Sequence, residues 1–149
     1  MAQVKVLITG GNGFVGRAIV KALLEQEPTW HITVLDITPN GLDSVASGKV
    51  DFVSADVTLI QDLQKAIASV KPRVIIHTAG IVPPFTHRYT RVWENVVKKV
   101  NVDGTRNMLA VAGDFDVKAF VYTSSCCAVT DDFTGHYASK QYHERRQAE

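Results

Sequence analysis

The sequence has almost no excess of charge of either sign. Its 149 residues include 16 Lys and Arg against 15 Asp and Glu, so the formal net charge is +1 at pH 7. Proteins that bind nucleic acid or an anionic membrane surface electrostatically carry a basic patch that dominates the surrounding charge. The near-neutral balance therefore argues against nucleic acid or a charged membrane surface as a partner.

Cysteines and long apolar runs are also scarce. The two cysteines, Cys126 and Cys127, are adjacent in an apolar stretch, where we expect reduced thiols at the end of a strand rather than a disulfide or a metal site. No run approaches the roughly 20 apolar residues that span a membrane, and the first residues (MAQVKVLITGG) resemble neither a signal peptide nor an anchor. These absences favour a cytoplasmic location and no membrane span in this chain.

What the sequence does contain is an alternation of short β-branched runs with amphipathic helical stretches. A hydrophobic fraction of 46% is enough for one domain with an apolar core. Strands joined by helices of about three turns form βαβ units, and right-handed crossovers then produce a parallel, doubly wound sheet. We predict an α/β fold of the Rossmann type over residues 1–130, with about five strands in the order 3-2-1-4-5. Residues 131–149 are predicted to be a polar tail, either a solvated helix or a frayed end.

The boundaries of these elements follow from the patterns. The predicted strands are Val4–Thr9, His31–Leu35, Val50–Ser54, Val74–His77 and Ala119–Thr123. The predicted helices are Phe14–Glu25, Leu59–Val70 and Val92–Ala112. Their predicted inward residues are Ala18, Ile19, Ala22 and Leu23 in the first helix, Leu63, Ala66, Ile67 and Val70 in the second, and Val96, Val100, Leu109 and Ala112 in the third.

A glycine-rich loop, TGGNGFVGR, separates the first strand from the first helix. Its glycines fit two patterns, Gly11-x-Gly13-x-x-Gly16 and Gly10-x-x-Gly13-x-x-Gly16. Either pattern gives a tight turn and a bare backbone that a pyrophosphate can approach. The free N–H groups and the positive dipole end of the helix then favour an anion. A tight turn without any ligand is the alternative interpretation.

An acidic residue stands where a dinucleotide site needs one. Asp36 follows Gly16 by twenty residues, at the end of the second strand, where a carboxylate can accept the ribose hydroxyls. It would repel a 2′-phosphate, and the next residues, Ile37, Thr38 and Pro39, supply no cation. We therefore predict NAD rather than NADP as the cofactor, with a capping role for Asp36 in the turn as the alternative.

Taken together, these residues resemble the extended short-chain dehydrogenase/reductase family. The loop matches its TGGxGFxG pattern, so the resemblance implies that Gly10, Gly13, Phe14, Val15 and Gly16 contact the cofactor. The resemblance covers roughly residues 4–130, and it also implies the roles of four later stretches. Asp56-Val57 would contact adenine, Ala79-Gly80 would lie under the nicotinamide ribose, Asn101 in VNVDGT would support the active site, and Ser125 in VYTSS would be the catalytic serine.

Within that family, HTAG and VYTSS look most like the 3β-hydroxysteroid dehydrogenase branch, including sterol-4-carboxylate 3-dehydrogenases. The resemblance implies oxidation of a secondary alcohol, namely the 3β-hydroxyl of a steroid or sterol. It also implies a small sterol-like substrate and, for a longer parent protein, the endoplasmic reticulum surface as a location. Nucleotide-sugar epimerases and dihydroflavonol-type reductases are close relatives.

The catalytic base that the resemblance implies is irregular. The family pairs a tyrosine and a lysine as YxxxK on one helix face, whereas Tyr137 and Lys140 are three residues apart. Tyr137 also follows Ser125 by only twelve residues, too few for the usual connection. Polar residues on a solvated tail are the alternative interpretation of this stretch. We therefore expect the N-terminal part of a longer enzyme, or a wrong junction near Ala138, with weak or no activity.

Two other functions stay open at this point. A non-catalytic NAD-binding regulatory module would retain the glycine loop and Asp36 but no base. A fragment of a nucleotide-sugar epimerase or dehydratase is the second. For a sterol-like substrate, Phe85, Tyr89 and Trp93 are predicted to offer an apolar wall, and a loop packed on the domain surface is the alternative interpretation. An unpaired edge strand is a candidate homodimer surface.

Overall fold

The computed structural model describes residues 3–39, 48–87 and 90–125 of the chain. Five strands form one parallel sheet: β1 (Lys5–Thr9), β2 (His31–Asp36), β3 (Val50–Ser54), β4 (Val74–His77) and β5 (Ala119–Tyr122). Their order, β3-β2-β1-β4-β5, is the predicted one, and every pair is parallel. The helices are α1 (Phe14–Gln26), α2 (Ile60–Val70), α3 (Glu94–Val97) and α4 (Thr105–Asp114), with 3₁₀ turns at Phe85–His87 and Arg91–Trp93.

Both faces of the sheet are apolar because the central strands are buried on both sides. Alternate residues of β1 point to opposite faces. Val6 and Ile8 pack in one cluster that includes Val20 of α1. Leu7 packs in the other cluster, which contains buried residues of α2 and α4, among them Leu63. The glycine loop and the other segments that follow the strands therefore lie at the carboxyl edge of a sheet that is covered on both faces.

The predicted stripe of α1 is only partly right. Ile19 and Leu23 are partly buried against the core, whereas Ala18 is exposed. Val20, which we did not predict to face inward, is fully buried together with Gly16. The stripe is therefore rotated toward Gly16, because that glycine lets the first turn approach the loop. In α2 the predicted inward residues are confirmed, since Leu63, Ala66 and Ile67 are buried and Val70 packs beside them.

The predicted helix at 92–112 is a continuous helical run with an unexpected middle. A π-helical segment, Lys98–Gly104, joins α3 to α4. Wider π turns break the 3.6-residue period on which the predicted stripe rested. Val96 and Leu109 were predicted to face inward, and both are about half exposed, while Met108 is fully buried.

Both edge strands are open over the described part of the chain. No described strand pairs with the outer edge of β3 or of β5, and Val121 and Tyr122 of β5 are about half exposed. Among the described residues, no helix is long and apolar enough to cross a membrane.

Candidate functional site

The turn after β1 depends on glycine at its first position. Gly10 has a φ of +67°, in the left-handed region, and a Cβ there would lie 2.7 Å from the backbone N and Cα of Ala79. Its N–H donates to the Leu35 carbonyl over 2.8 Å. The loop thus contacts the segment after β4 on one side and the end of β2 on the other. This is the place where the strand order reverses, and ligands of open α/β sheets bind there.

The start of α1 is equally close to the loop. A Cβ on Gly16 would lie 2.3 Å from the Gly10 carbonyl oxygen, so the helix begins directly against the turn. Gly13 is the N-cap residue and offers no side-chain cap, and Phe14 beside it is 89% exposed. The first N–H groups of α1 therefore lack a capping side chain, and with the dipole they favour an anion.

Asp36 lies beside this loop, as the spacing predicted. Its Oδ2 accepts the Asn12 N–H over 3.1 Å, and its Oδ1 accepts the Ile37 N–H over 2.8 Å. The carboxylate therefore does cap the turn, which was the alternative interpretation. Each oxygen retains a second lone pair, so capping and acceptance of ribose hydroxyls are compatible.

Asn12 is a site residue that the glycine pattern did not reveal. Its side-chain amide donates to the Thr38 carbonyl. Its Oδ1 is buried and has no hydrogen-bond partner among the described residues. A buried acceptor without a donor is costly, so this oxygen is suited to a donor group of a ligand. Only the variable position within TGGxGFxG could have drawn attention to it.

Asp56 and Val57 lie at the turn after β3. The Asp56 Oδ1 accepts the Thr58 N–H over 2.8 Å, and the Val57 carbonyl accepts from the Asn107 side chain over 3.1 Å. Asp56 is half-buried and Val57 is buried. The carboxylate therefore shapes the turn, and a contact with adenine stays a prediction.

The turn after β4 is fixed by Asn101 of the π segment. The Asn101 Oδ1 accepts the Ile81 N–H over 2.8 Å, and its Nδ2 donates to the Ile81 carbonyl over 2.9 Å. A Cβ on Gly80 would lie 3.3 Å from the same Oδ1. Ala79 and Gly80 are therefore held close to the helix, and the Asn101 side chain serves this turn.

His77 is buried below that turn in a saturated polar contact. Its Nδ1 is 2.6 Å from the Thr9 Oγ1, and its Nε2 is 2.9 Å from the Thr105 Oγ1. Burial lowers the pKa of His77 from 6.5 to about 4, so the ring is neutral at pH 7. The part of the chain that the structure describes contains no group of side chains suited to a metal.

The catalytic residues are described only in part. Ser125 ends the described chain, is exposed, and follows Ser124, whose φ is +52°. Tyr137 and Lys140 lie outside the described residues, as do Cys126 and Cys127. The roles of the serine, tyrosine and lysine stay predictions.

The fold and this loop define an oxidoreductase-type domain of the NAD-binding class. The chain belongs to the 3-beta hydroxysteroid dehydrogenase/isomerase family, which it matches over residues 7–148. That match extends past residue 130, where the resemblance seen in the motifs ended. Membership of the predicted branch is therefore confirmed.

Individual relatives agree with the family. A 3 beta-hydroxysteroid dehydrogenase/Delta 5-->4-isomerase of Vaccinia virus is 36% identical over 135 residues, which are 87% of this chain and 37% of that protein. A decarboxylating sterol-4-alpha-carboxylate 3-dehydrogenase of Candida albicans is 35% identical, over 80% of this chain and 34% of that one. The UDP-glucose 4-epimerase of Thermus thermophilus, solved with NAD, is 26% identical with a TM-score of 0.66, over 78% of this chain and 36% of the epimerase. The chain thus spans little more than a third of these relatives.

Proposed function

We propose that this chain is the NAD-binding part of a dehydrogenase that oxidises a secondary alcohol, the 3β-hydroxyl of a steroid or sterol. The observation that carries the proposal is the carboxylate of Asp36 beside the uncapped start of α1. Both curated relatives described above are dehydrogenases whose names contain a hydroxysteroid or a sterol carboxylate. Bound NAD would supply the hydride acceptor for such an oxidation.

The proposed NAD site assigns a part of the cofactor to each segment. The loop and the first N–H groups of α1 hold the diphosphate, and Asp36 holds the adenosine ribose. Since β4 lies on the other side of β1 from β2, the second nucleoside extends toward the turn after β4. The residues proposed to contact the cofactor are Gly10, Gly13, Phe14, Val15, Gly16, Asp36, Asp56, Val57, Ala79, Gly80 and Asn101.

Turnover by this chain is proposed to be weak or absent. Ser125 would orient the substrate hydroxyl, with Tyr137 as the base and Lys140 as its partner. The i,i+3 spacing of Tyr137 and Lys140 and their short separation from Ser125 disfavour that geometry. The same spacing favours a second candidate function, a regulatory module that binds NAD without turning it over. The half-exposed edge of β5 supports a homodimer. Sedimentation in analytical ultracentrifugation would reveal it as a species of twice the mass of the chain.

The test is thermal unfolding with NAD and with NADP, for wild type and Asp36→Ala. Ligand at one hundred times its Kd adds about 2.7 kcal/mol to the free energy of unfolding. Wild type should be stabilised by NAD and much less by NADP. Hydrogen bonds to a charged group contribute about 1.5–3 kcal/mol, so Asp36→Ala should weaken the binding of NAD about 10- to 100-fold. The ratio of the affinities for NAD and NADP should decrease as well.

A matched control removes a carboxylate elsewhere in the sheet. Asp51 of β3 is exposed and pairs with His31, at the end of the sheet far from the loop. Asp51→Ala should leave both affinities unchanged. Equal binding of NAD by wild type and Asp36→Ala would refute the proposed site, and turnover of a 3β-hydroxysteroid with NAD would separate the dehydrogenase from the regulatory module.

A further inference from the structure

A chain of hydrogen bonds runs beneath the proposed cofactor site and links three separate elements. It begins at Ala79, whose N–H donates to the Thr9 Oγ1 over 3.3 Å. It continues through both nitrogens of His77 to the Thr105 hydroxyl. The Thr105 hydroxyl then donates to the Asn101 carbonyl over 2.8 Å. The chain thus connects β1, β4 and the helix that contains the π segment.

The direction of each hydrogen bond in this chain is fixed. Thr105 has one hydroxyl proton and donates it to Asn101, so its oxygen must accept from His77 Nε2–H. A neutral imidazole has one N–H, which leaves Nδ1 as the acceptor of the Thr9 hydroxyl proton. The Thr9 oxygen is then free to accept from Ala79. The network therefore selects one tautomer of His77, with the proton on Nε2.

The two ends of this chain meet at the same turn. Ala79 is bonded to Thr9 directly before the glycine loop, and Asn101 holds both backbone groups of Ile81. His77 and Thr9 are completely buried, so water does not compete for the hydrogen bond between them. The turn at residues 79–81 is thus hydrogen-bonded to the strand end before the glycine loop on one side and to the helix on the other, with His77 between them.

We propose that His77 is a positioning residue that, as its Nε2–H tautomer, sets the turn at residues 79–81 for the second nucleoside of the dinucleotide. This inference rests on the proposed NAD site and adds a division of labour within it. The half of the cofactor held by Asp36 lies on the other side of β1 and does not depend on the network. NAD, which has both nucleosides, and ADP, which has only the first, should therefore respond differently when the network is cut.

The network can be cut at Thr105 with little change of shape. Thr105→Val removes the hydroxyl that accepts from His77, whereas Thr105→Ser retains it. We expect Thr105→Val to weaken the binding of NAD about tenfold and the binding of ADP less than twofold. Thr105→Ser should retain most of the wild-type affinity for NAD. Thr33→Val, at a buried threonine of β2 outside the network, is the matched control and should change neither affinity. Thr105→Ala is a second cut if the valine variant does not fold.

Calorimetric titration with NAD and ADP separates the outcomes. If wild type binds neither ligand, the proposed function fails and this inference fails with it. If wild type binds both and Thr105→Val weakens both equally, the positioning role alone is refuted. Imidazole ¹⁵N spectra measure directly which nitrogen of His77 carries the proton, independently of any loss of stability. They should show the Nε2–H tautomer in wild type and in Thr105→Ser, and a proton on Nδ1 in wild type would overturn the proposal.

Discussion

The free energy of unfolding of this domain should decrease as the pH is lowered from 8 to 5, because of one residue, His77. Its pKa is lowered by burial from 6.5 to about 4, so the folded state favours the neutral ring. This contribution to stability is fully present above pH 6.5, where the His77 ring is neutral in both the folded and the unfolded chain. It is lost as the pH falls toward 4. Over that interval only the unfolded chain gains a proton at this position.

The size of the effect follows from the two pKa values. Each unit of difference between the two pKa values is worth about 1.4 kcal/mol, so the complete loss is about 3 kcal/mol and the loss at pH 5 is about 2 kcal/mol. For a domain whose total stability is typically about 5–15 kcal/mol, that is a large fraction.

Urea denaturation of wild type and His77→Asn at pH 8, 7, 6 and 5 measures this term directly. The substitution lowers stability at every pH, but it removes the titrating ring, so the free energies of unfolding should converge by about 2 kcal/mol between pH 8 and pH 5. The matched control is His87→Asn, which removes an exposed histidine and keeps the buried ring, so the decline caused by His77 should persist in it. If wild type and His77→Asn also decline in parallel, His77 does not titrate as its burial implies.

Two further predictions concern glycine and asparagine. Gly16→Ala places a Cβ 2.3 Å from a backbone oxygen, so overpacking should cost about 1–3 kcal/mol and NAD binding should be lost. Gly113→Ala in α4, where a Cβ meets nothing within 4 Å, should instead add about 0.5–1 kcal/mol, and similar effects of the two in urea denaturation would contradict this reasoning. Asn101→Ala removes two hydrogen bonds to Ile81 and should cost about 1–3 kcal/mol. Faster hydrogen exchange at the Ile81 amide should accompany that loss, and unchanged exchange would show that the turn does not depend on Asn101.

The order of the sheet and the place of Asp36 could be predicted because they depend on local patterns. Short apolar strands alternating with helices leave few topologies, and a fixed spacing puts an acid at the end of β2. The interior of the third predicted helix could not be predicted in the same way. A π segment has no signature in hydrophobic periodicity, and Leu109 lies about 100° around the helix from the buried Met108.

The polar network was beyond local reasoning for a different reason. His77 is 68 residues from Thr9 and 28 residues from Thr105. These partners come together only through the packing of β1, β4 and α4. The unpaired Oδ1 of Asn12 was missed because only the folded loop buries it.

The crowding around the glycine loop limits how the nucleotide preference of this domain can be redesigned. A Cβ at Gly10, Gly11 or Gly16 would meet neighbouring atoms at 2.7 Å or less, so no larger side chain can be introduced at these positions without moving backbone or core. A change from a ribose hydroxyl to a phosphate must therefore be engineered at the rim, where Asn12 and Asp36 meet. Replacing the acid alone would remove repulsion without adding a cation, and a productive library would vary both positions together.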